Sequence, residues 1–197
     1  MRIPKFIFLL LNAVVFAGGI LGGDGCKKAP EIPYRPGGLA MGDKAYPFSL
    51  PDSNGHILKL EDMQEGWDLV LIFYRGHWCG ACQNQLLNLK DDYSKFTAQH
   101  IALAAISVDT IEDSAHFTQE WRFPFPLLSD TRLQVIDAYG LRNPNGHEGK
   151  DISHPAVIII DSGKMVRYKY VGKTPMDRPS DDEILFEIQK IQQQKEK

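Results

Sequence analysis

Two cysteines separated by two residues lie near the middle of the chain, in the segment Trp78-Cys79-Gly80-Ala81-Cys82. The segment follows a continuous apolar run and precedes a helical pattern, so it is predicted to lie at the start of a helix. Unpaired N–H groups and the helix dipole favour negative charge there, which makes Cys79 the predicted nucleophilic thiolate. Residues three apart lie on one side of a helix, so Cys82 is placed to attack a mixed disulfide formed at Cys79.

Three side chains close to the cysteines are candidates for adjusting this chemistry. Arg75, and His77 when it is protonated, would add positive charge and lower the pKa of the Cys79 thiol. Trp78 is predicted to cover the pair and limit the access of water, although simple packing explains a tryptophan at this place about as well.

Two other interpretations of the cysteine pair are weaker. A tetrahedral structural zinc site usually needs a second ligand pair, and the only other cysteine of the chain is Cys26. Two inert buried thiols are hard to reconcile with a helix start after a central strand. The pair therefore predicts redox chemistry, with no metal ion and no other cofactor.

The composition predicts one domain and excludes several classes of function. The chain has 197 residues, of which 43% are hydrophobic and 24% charged, as expected for one compact domain with a short extra segment. A net charge of −3 and a pI near 6.1 argue against a protein that binds nucleic acid by bulk electrostatics. Three cysteines are too few for a disulfide scaffold.

The N-terminal segment is predicted to be a targeting signal. Arg2 and Lys5 precede an apolar run, residues 6–21, that is shorter than the about 20 residues a spanning helix needs. Several glycines follow it. A charged start, a short apolar centre and small residues predict a secretory signal at residues 1–25.

Cys26 follows this signal directly, which resembles a bacterial lipoprotein signal with Cys26 as the site of lipidation. Gly23 stands where such signals usually have Leu, and Asp24 lies between. An uncleaved membrane anchor and plain secretion with a free thiol are the alternatives. Lipidation, an uncleaved anchor and plain secretion all predict an extracytoplasmic protein of the cell envelope. Lipidation and an uncleaved anchor also attach it to the membrane.

A tether and one domain are predicted to follow the signal. Residues 26–41 are rich in proline and glycine and have no apolar period, so they predict an extended tether. Residues 42–197 alternate between strand and helix patterns. Continuous apolar runs predict buried strands at residues 68–74, 101–108 and 156–160.

Helical patterns connect these strands. One apolar stripe of a predicted helix contains Cys82, Leu86, Leu89, Tyr93 and Phe96. Further helices are predicted at residues 111–121 and 133–138, a hairpin turn at Ser162-Gly163, and a last helix that begins with a capping box of Ser180 and Glu183. This order predicts an α/β sandwich with a mixed sheet.

The Trp-Cys-x-x-Cys segment after a strand resembles the thioredoxin superfamily, and other segments resemble its AhpC/TSA redoxin branch, which is peroxiredoxin-like. Those segments are residues 46–52 with Asn54-Gly55, Phe73-Tyr74-Arg75-Gly76, Ser107-Val108-Asp109, residues 125–130 and Ala138-Tyr139-Gly140. They span about residues 42–172. The resemblance implies a thioredoxin-like three-layer sandwich whose mixed central sheet is flanked by helices.

Two departures from the peroxiredoxin pattern bear on the activity. The resemblance aligns Cys82 with the peroxidatic cysteine, and Cys79 then occupies the place of the Thr or Ser found three residues earlier. Pro155 stands where peroxiredoxins have an arginine that polarises peroxide. Thioredoxins have a cis proline at this point, so His154 and Pro155 are predicted to shape the substrate groove. An ordinary proline at the start of a strand is the alternative.

Two departures from the exchange proteins concern the proton of Cys82. Thioredoxin has a buried acid six residues before its first cysteine, where this chain has Phe73. Related exchange proteins often have Glu three residues after the second cysteine, where this chain has Gln85. The sequence therefore identifies no proton acceptor for Cys82.

The leading hypothesis is an extracytoplasmic thiol–disulfide oxidoreductase that uses Cys79 and Cys82. Its expected partners are protein disulfides or thiols and a redox protein that donates electrons. The alternative is a thiol peroxidase in which Cys82 attacks peroxide and Cys79 resolves. A copper carrier that uses the cysteines and His154 is a third and weaker hypothesis, because such proteins usually separate their cysteines by three residues.

Overall fold

The structure is a computed structural model that describes residues 37–195, and a five-stranded sheet forms its centre. The strands are β1 (Ser49–Pro51), β2 (Ile57–Lys59), β3 (Asp68–Phe73), β4 (Ile101–Ser107), β5 (Leu127–Ser129), β6 (Arg142–His147), β7 (Lys150–Ser153), β8 (Ala156–Ile160) and β9 (Val166–Val171). The helices are α1 (Leu60–Gln64), α2 (Gly80–Asp91), α3 (Tyr93–Thr97), α4 (Ile111–Trp121), α5 (Gln134–Ala138) and α6 (Asp181–Lys195).

The central sheet is mixed, and its strand order is β5-β4-β3-β8-β9. Strand β3 pairs in parallel with β4 and antiparallel with β8, while β9 pairs antiparallel with β8. Every residue of β3 is buried, which explains its continuous apolar sequence, because helices and loops cover both faces of the sheet. The predicted α/β fold with a mixed central sheet between helices is confirmed.

Strand β3 contributes alternate side chains to two apolar clusters, as the two-residue period of a strand requires. Val70 and Ile72 belong to the cluster that contains both cysteines and the buried face of α6. Leu69, Leu71 and Phe73 belong to the cluster on the other face, with side chains from β1, α1 and α5. The cysteine pair is therefore packed against one face of the sheet only.

The predicted helices are present, with one break. The stripe that begins at Cys82 is continuous in its burial, but α2 ends at Asp91 and α3 begins at Tyr93. Asp92, between them, has φ −91° and ψ 5°, and its carboxylate accepts a hydrogen bond from Lys95 Nζ at 2.8 Å.

The last helix begins as its capping box predicts. The Ser180 N–H donates to Glu183 Oε2 at 2.7 Å, and the Glu183 N–H donates to Ser180 Oγ at 3.3 Å. A second capping box, of Thr110 and Asp113, begins α4.

The predicted elements do not include the short elements β1, β2, α1 and β5, nor β6 and β7. Strands β6 and β7 form a separate two-stranded antiparallel hairpin, residues 142–153, outside the central sheet. Its sequence is mainly polar and contains Pro144 and Gly146 without regular alternation, so no strand pattern stands out. This hairpin contacts Arg75 and Trp78, just before Cys79.

The predicted signal at residues 1–25, Cys26 and the tether up to residue 36 lie outside the described residues. Residues 37–41 are bonded to the domain: the Leu39 N–H donates to Ala138 O at 3.0 Å, and Lys169 Nζ donates to the carbonyls of Gly37 and Leu39. Between residues 37 and 195, none of the helices has the length and apolar character needed to cross a membrane.

Candidate active site

Both cysteines lie in the first turn of α2. Cys79 is the N-cap residue, with an extended backbone of φ −85° and ψ 105°, and the helix begins at Gly80. The carbonyl of Cys79 accepts the N–H groups of Cys82 at 2.9 Å and Gln83 at 3.0 Å, which closes the turn. Both thiols are free in this structure. The turn that the spacing predicts is thus present, with one cysteine behind the other.

The two thiols have opposite electrostatic environments. The pKa of Cys79 is lowered to about 5, chiefly because its sulfur accepts a hydrogen bond from the Cys82 thiol. The Cys82 N–H and the charges of Arg178 and Arg75 lower it further, against the effect of burial. The pKa of Cys82 is raised, first because its thiol donates to Cys79 and second because it is buried. At neutral pH the reduced pair therefore holds its negative charge on Cys79.

An arginine from a distant segment reaches Cys82. Arg178 Nη2 lies 3.0 Å from Cys82 Sγ, and Arg178 Nη1 donates to Gln85 Oε1 at 2.5 Å. The N–H of Arg75 points to the same sulfur from 3.4 Å. Sequence reasoning did not identify Arg178, which lies in the segment between β9 and α6 and carries no local signal of its role.

The β6–β7 hairpin is fastened over the residues before Cys79. Arg75 Nη2 donates to the carbonyl of Gly146 at 3.1 Å. Trp78 stacks on the ring of His147, with ring centres 3.4 Å apart and planes 14° apart, and the Arg75 guanidinium lies 5.0 Å from the centre of the Trp78 ring. Trp78 also packs against the apolar cluster that contains both cysteines. The side chains of Trp78 and Arg75 thus join the hairpin to the start of α2.

His77 is bound to an acid rather than to a sulfur. Its N–H donates to Asp109 Oδ2 at 2.8 Å, and its Nδ1 lies 3.0 Å from Asp109 Oδ1. Asp109 is 5% exposed. Gln83 Nε2 donates to the His77 carbonyl at 2.7 Å. Arg75 acts on the Cys79 thiol as predicted, whereas His77 is not among the groups that shift its pKa.

Pro155 and His154 lie at the start of β8. Phe73 pairs with Ala156, so Pro155 comes next to the end of β3, close to where the chain continues to Arg75. The residues described contain no cis peptide bond, so the cis bond typical of thioredoxins is absent at His154–Pro155. Pro155 O accepts the Gly172 N–H at 2.8 Å and so continues the β8–β9 ladder. Its conformation is that of a proline at the start of a strand.

A cavity of about 380 Å³ lies beside Trp78 and His77. The hairpin residues His147, Glu148 and Lys150 line one part of it. His154 and Pro155 are not among its lining residues. The hairpin, and not the His154-Pro155 pair, therefore borders the open space next to the start of α2.

No group of three or more His, Cys, Asp or Glu side chains within residues 37–195 is arranged to hold a metal ion. Cys79, Cys82 and His154 do not form such a group, so the copper-carrier hypothesis receives no support from the geometry.

Comparison with known proteins places this site in a family. The chain is 29% identical to peroxiredoxin Bcp of Escherichia coli over 134 residues, 67% of this chain and 85% of Bcp. It is 31% identical to the thiol–disulfide oxidoreductase ResA of Bacillus subtilis over 102 residues, 51% of this chain and 56% of ResA. The crystal structure of peroxidoxin BcpB from Mycobacterium tuberculosis superposes with a TM-score of 0.70 at 26% identity, covering 78% of this chain and 98% of BcpB.

These relatives are named as peroxiredoxins or as a thiol–disulfide oxidoreductase. The fold that positions Cys79 and Cys82 in this chain is shared with BcpB. A model of the AhpC/TSA family matches residues 41–169, which include four strands of the central sheet and most of β9, together with α2 and both thiols. The chain belongs to the AhpC/TSA family and is an oxidoreductase.

Proposed function

We propose that this protein exchanges thiols and disulfides, with Cys79 as the attacking thiolate and Cys82 as the resolving thiol. The asymmetry of the pair carries the proposal. Cys79 caps the helix and keeps 5% of its surface exposed, whereas Cys82 lies behind it with 0% exposed. A disulfide of a partner protein reaches Cys79 first, and the lowered pKa of Cys79 makes it the reactive sulfur at neutral pH.

The reaction balances without a cofactor. The Cys79 thiolate attacks one sulfur of the substrate disulfide, forms a mixed disulfide and releases the other sulfur as a thiolate. Cys82 then attacks Cys79, which forms the Cys79–Cys82 disulfide and releases the second substrate thiol. The substrate gains two electrons and the protein loses two, so a second redox protein must reduce the pair again.

The peroxidase alternative is favoured by a different observation. Cys82 Sγ, at the peroxidatic position, faces the Arg75 N–H and the Arg178 guanidinium, which are the kinds of group that stabilise a thiolate. Bcp of E. coli is named a peroxiredoxin. Against it stand Pro155 in place of the family's arginine and the complete burial of Cys82.

Two single-cysteine variants separate the candidates. If the protein exchanges disulfides, Cys82→Ser should accumulate a mixed disulfide between Cys79 and insulin and should produce less reduced insulin. Cys79→Ser should not reduce insulin at all. For peroxidase activity, stopped-flow mixing with hydrogen peroxide should show a rate far above that of a free thiol, which Cys82→Ser abolishes. A fast peroxide reaction together with no trapped mixed disulfide would overturn the proposal.

We also propose that the protein acts on the extracytoplasmic face of the membrane and is anchored by a lipid on Cys26. Support comes from the sequence alone, since the charged start, apolar run and glycines before Cys26 follow the order of a secretory signal. In cells fed a labelled fatty acid, the wild-type chain should carry the label in the membrane fraction. Label retained by Cys26→Ala would contradict the lipidation. A domain that resists a protease added on the outer side of the cytoplasmic membrane would contradict the location.

A further inference from the structure

Cys82 has to become a thiolate in a place that disfavours charge. Its hydrogen bond to Cys79, and then its burial, raise the pKa of its thiol. Gln85 and Phe73 stand where related exchange proteins have acids, so no carboxylate is supplied at those positions. Another group must stabilise the charge that Cys82 carries when it attacks.

We propose that Arg178 is a catalytic residue whose guanidinium stabilises the Cys82 thiolate during the resolving step. The proposal rests on the exchange function given above and assigns a residue to it. The contact is direct, since Arg178 Nη2 lies 3.0 Å from the sulfur that attacks.

All three kinds of guanidinium nitrogen are engaged. Besides the sulfur, Arg178 donates from Nη1 to Gln85 Oε1 at 2.5 Å and from Nε to the Pro175 carbonyl at 2.8 Å. Both of these acceptors are neutral. In the described part of the chain no ion pair involves Arg178, whereas Arg142 and Arg167 are each paired with aspartates. The charge of Arg178 is therefore directed at Cys82 and is not cancelled by a carboxylate.

The segment that carries Arg178, residues 172–179, is held in a defined shape. The Asp177 carboxylate accepts the N–H of Lys173 at 2.8 Å and the hydroxyl of Tyr170. Gly172 is required at the start of the segment, because a Cβ there would lie 2.1 Å from the Asp177 carbonyl oxygen. Such bonds fix the backbone that leads into Arg178 and hold the guanidinium before any substrate binds.

The position of this segment explains how an arginine arrives without being at position 155. The Gly172 N–H is bonded to the Pro155 carbonyl, so the segment leaves the sheet beside Pro155. The guanidinium that the family pattern places at position 155, just before β8, is supplied here by Arg178, beyond the end of the neighbouring strand β9.

The order in which the two sulfurs carry charge shows at which step Arg178 acts. When Cys79 forms the mixed disulfide, it loses its negative charge, and with it the main cause that keeps the proton on Cys82. Burial still opposes ionisation, and the charge of Arg178 is the largest of the causes that lower the Cys82 pKa. Cys82 then gives its proton to the thiolate already released by the substrate and attacks Cys79 Sγ. Arg178 exchanges no proton.

A first experiment needs no substrate. In full-length Cys79→Ser, the rate of alkylation at Cys82 is followed against pH with iodoacetamide, and the modified peptide is measured by mass spectrometry. An opposite charge at this distance lowers a pKa by about 1–3 units, so Arg178→Ala should raise the pH midpoint by one unit or more. Arg178→Lys should recover part of the shift. Lys173→Ala, which removes an exposed cation from the same segment, should leave the midpoint unchanged.

A second experiment follows one turnover with insulin and two intact cysteines. At pH 7, Arg178→Ala should form the mixed disulfide at nearly the wild-type rate and resolve it about tenfold more slowly or worse, in proportion to the lost thiolate. An unchanged alkylation midpoint in a folded Arg178→Ala protein overturns the role of Arg178. Absence of a mixed disulfide in Cys82→Ser overturns the exchange function instead, and the midpoint still decides about Arg178.

Discussion

Two segments outside the central sheet contact the start of α2, and each makes its direct contacts beside a different sulfur. The β6–β7 hairpin contacts Arg75 and Trp78, next to Cys79, which keeps 5% of its surface exposed, and it borders the cavity there. Segment 172–179 contacts Cys82, the buried sulfur, through Arg178. The hairpin borders the open space beside Cys79, whereas segment 172–179, by our proposal, sets the reactivity of Cys82, the sulfur behind it.

The largest effect is expected when segment 172–179 is displaced. In Gly172→Ala the new Cβ would meet the Asp177 carbonyl oxygen at 2.1 Å, which forces the segment to move. We expect resolution to slow about as much as in Arg178→Ala, together with a loss of about 1–3 kcal/mol in the free energy of unfolding. Stopped-flow turnover and urea denaturation measure the two. Normal resolution at reduced stability would show that the segment need not hold Arg178 in place.

A smaller effect is expected from Gln85→Glu. Gln85 Nε2 is buried without a partner among the described residues, so a carboxylate fits the site without losing a donor bond. The new charge would pair with Arg178 and weaken its action on Cys82. We expect the pKa of Cys82 in a Cys79→Ser background to rise, by less than in Arg178→Ala, as measured by alkylation. A fall would indicate that the Gln85 position acts on Cys82 independently of Arg178.

The hairpin is tested by His147→Ala. The stack of His147 on Trp78 is worth about 1 kcal/mol, so we expect an increase of about fivefold in KM for a protein disulfide. The value of kcat should stay unchanged, as should the pKa of Cys82, because Arg178 is not touched. His116→Ala, an exposed histidine elsewhere, serves as the matched control. A fall in kcat with unchanged KM would place the hairpin in the chemistry.

The smallest effect concerns the pH dependence of Cys79. With its pKa lowered to about 5, its alkylation rate should be flat above about pH 6 and fall about tenfold per unit well below pH 5. Arg178 lowers this pKa more than Arg75 does, so Arg178→Met should move the midpoint upward more than Arg75→Met. The reverse order would mean that Arg75, on the hairpin side, has the larger electrostatic effect on Cys79.

The sequence predicts the parts of the fold whose pattern is local. Strands β3, β4 and β8 follow from continuous apolar runs, because a strand buried on both faces has few polar residues. Helix α2 follows from its buried stripe, because burial on one side leaves a helical period in the sequence. The placement of Cys79 and Cys82 in one helical turn follows from the same pattern. The β6–β7 hairpin does not, since its strands are mainly polar and show no regular alternation.

The contacts of the site are less predictable than its cysteines. Arg178 lies 96 residues from Cys82 along the chain, and only the path of the chain after β9 brings it back to α2. The partner of His77 is Asp109, which follows β4 and lies at the same edge of the sheet. The hydrogen bond from the Gly172 N–H to the Pro155 carbonyl is likewise not shown by any local signal.

The division of β3 between two apolar clusters has a practical consequence. Leu69, Leu71 and Phe73 face the cluster away from the thiols, so their neighbours can be repacked without altering what surrounds sulfur. Thermal stability can thus be changed on one face of the central sheet, whereas the residues that set the reduction potential of the cysteine pair lie on the other face. Substitutions selected in the cluster away from the thiols are therefore expected to raise the thermal stability of the protein and to leave the reduction potential of the Cys79–Cys82 couple unchanged.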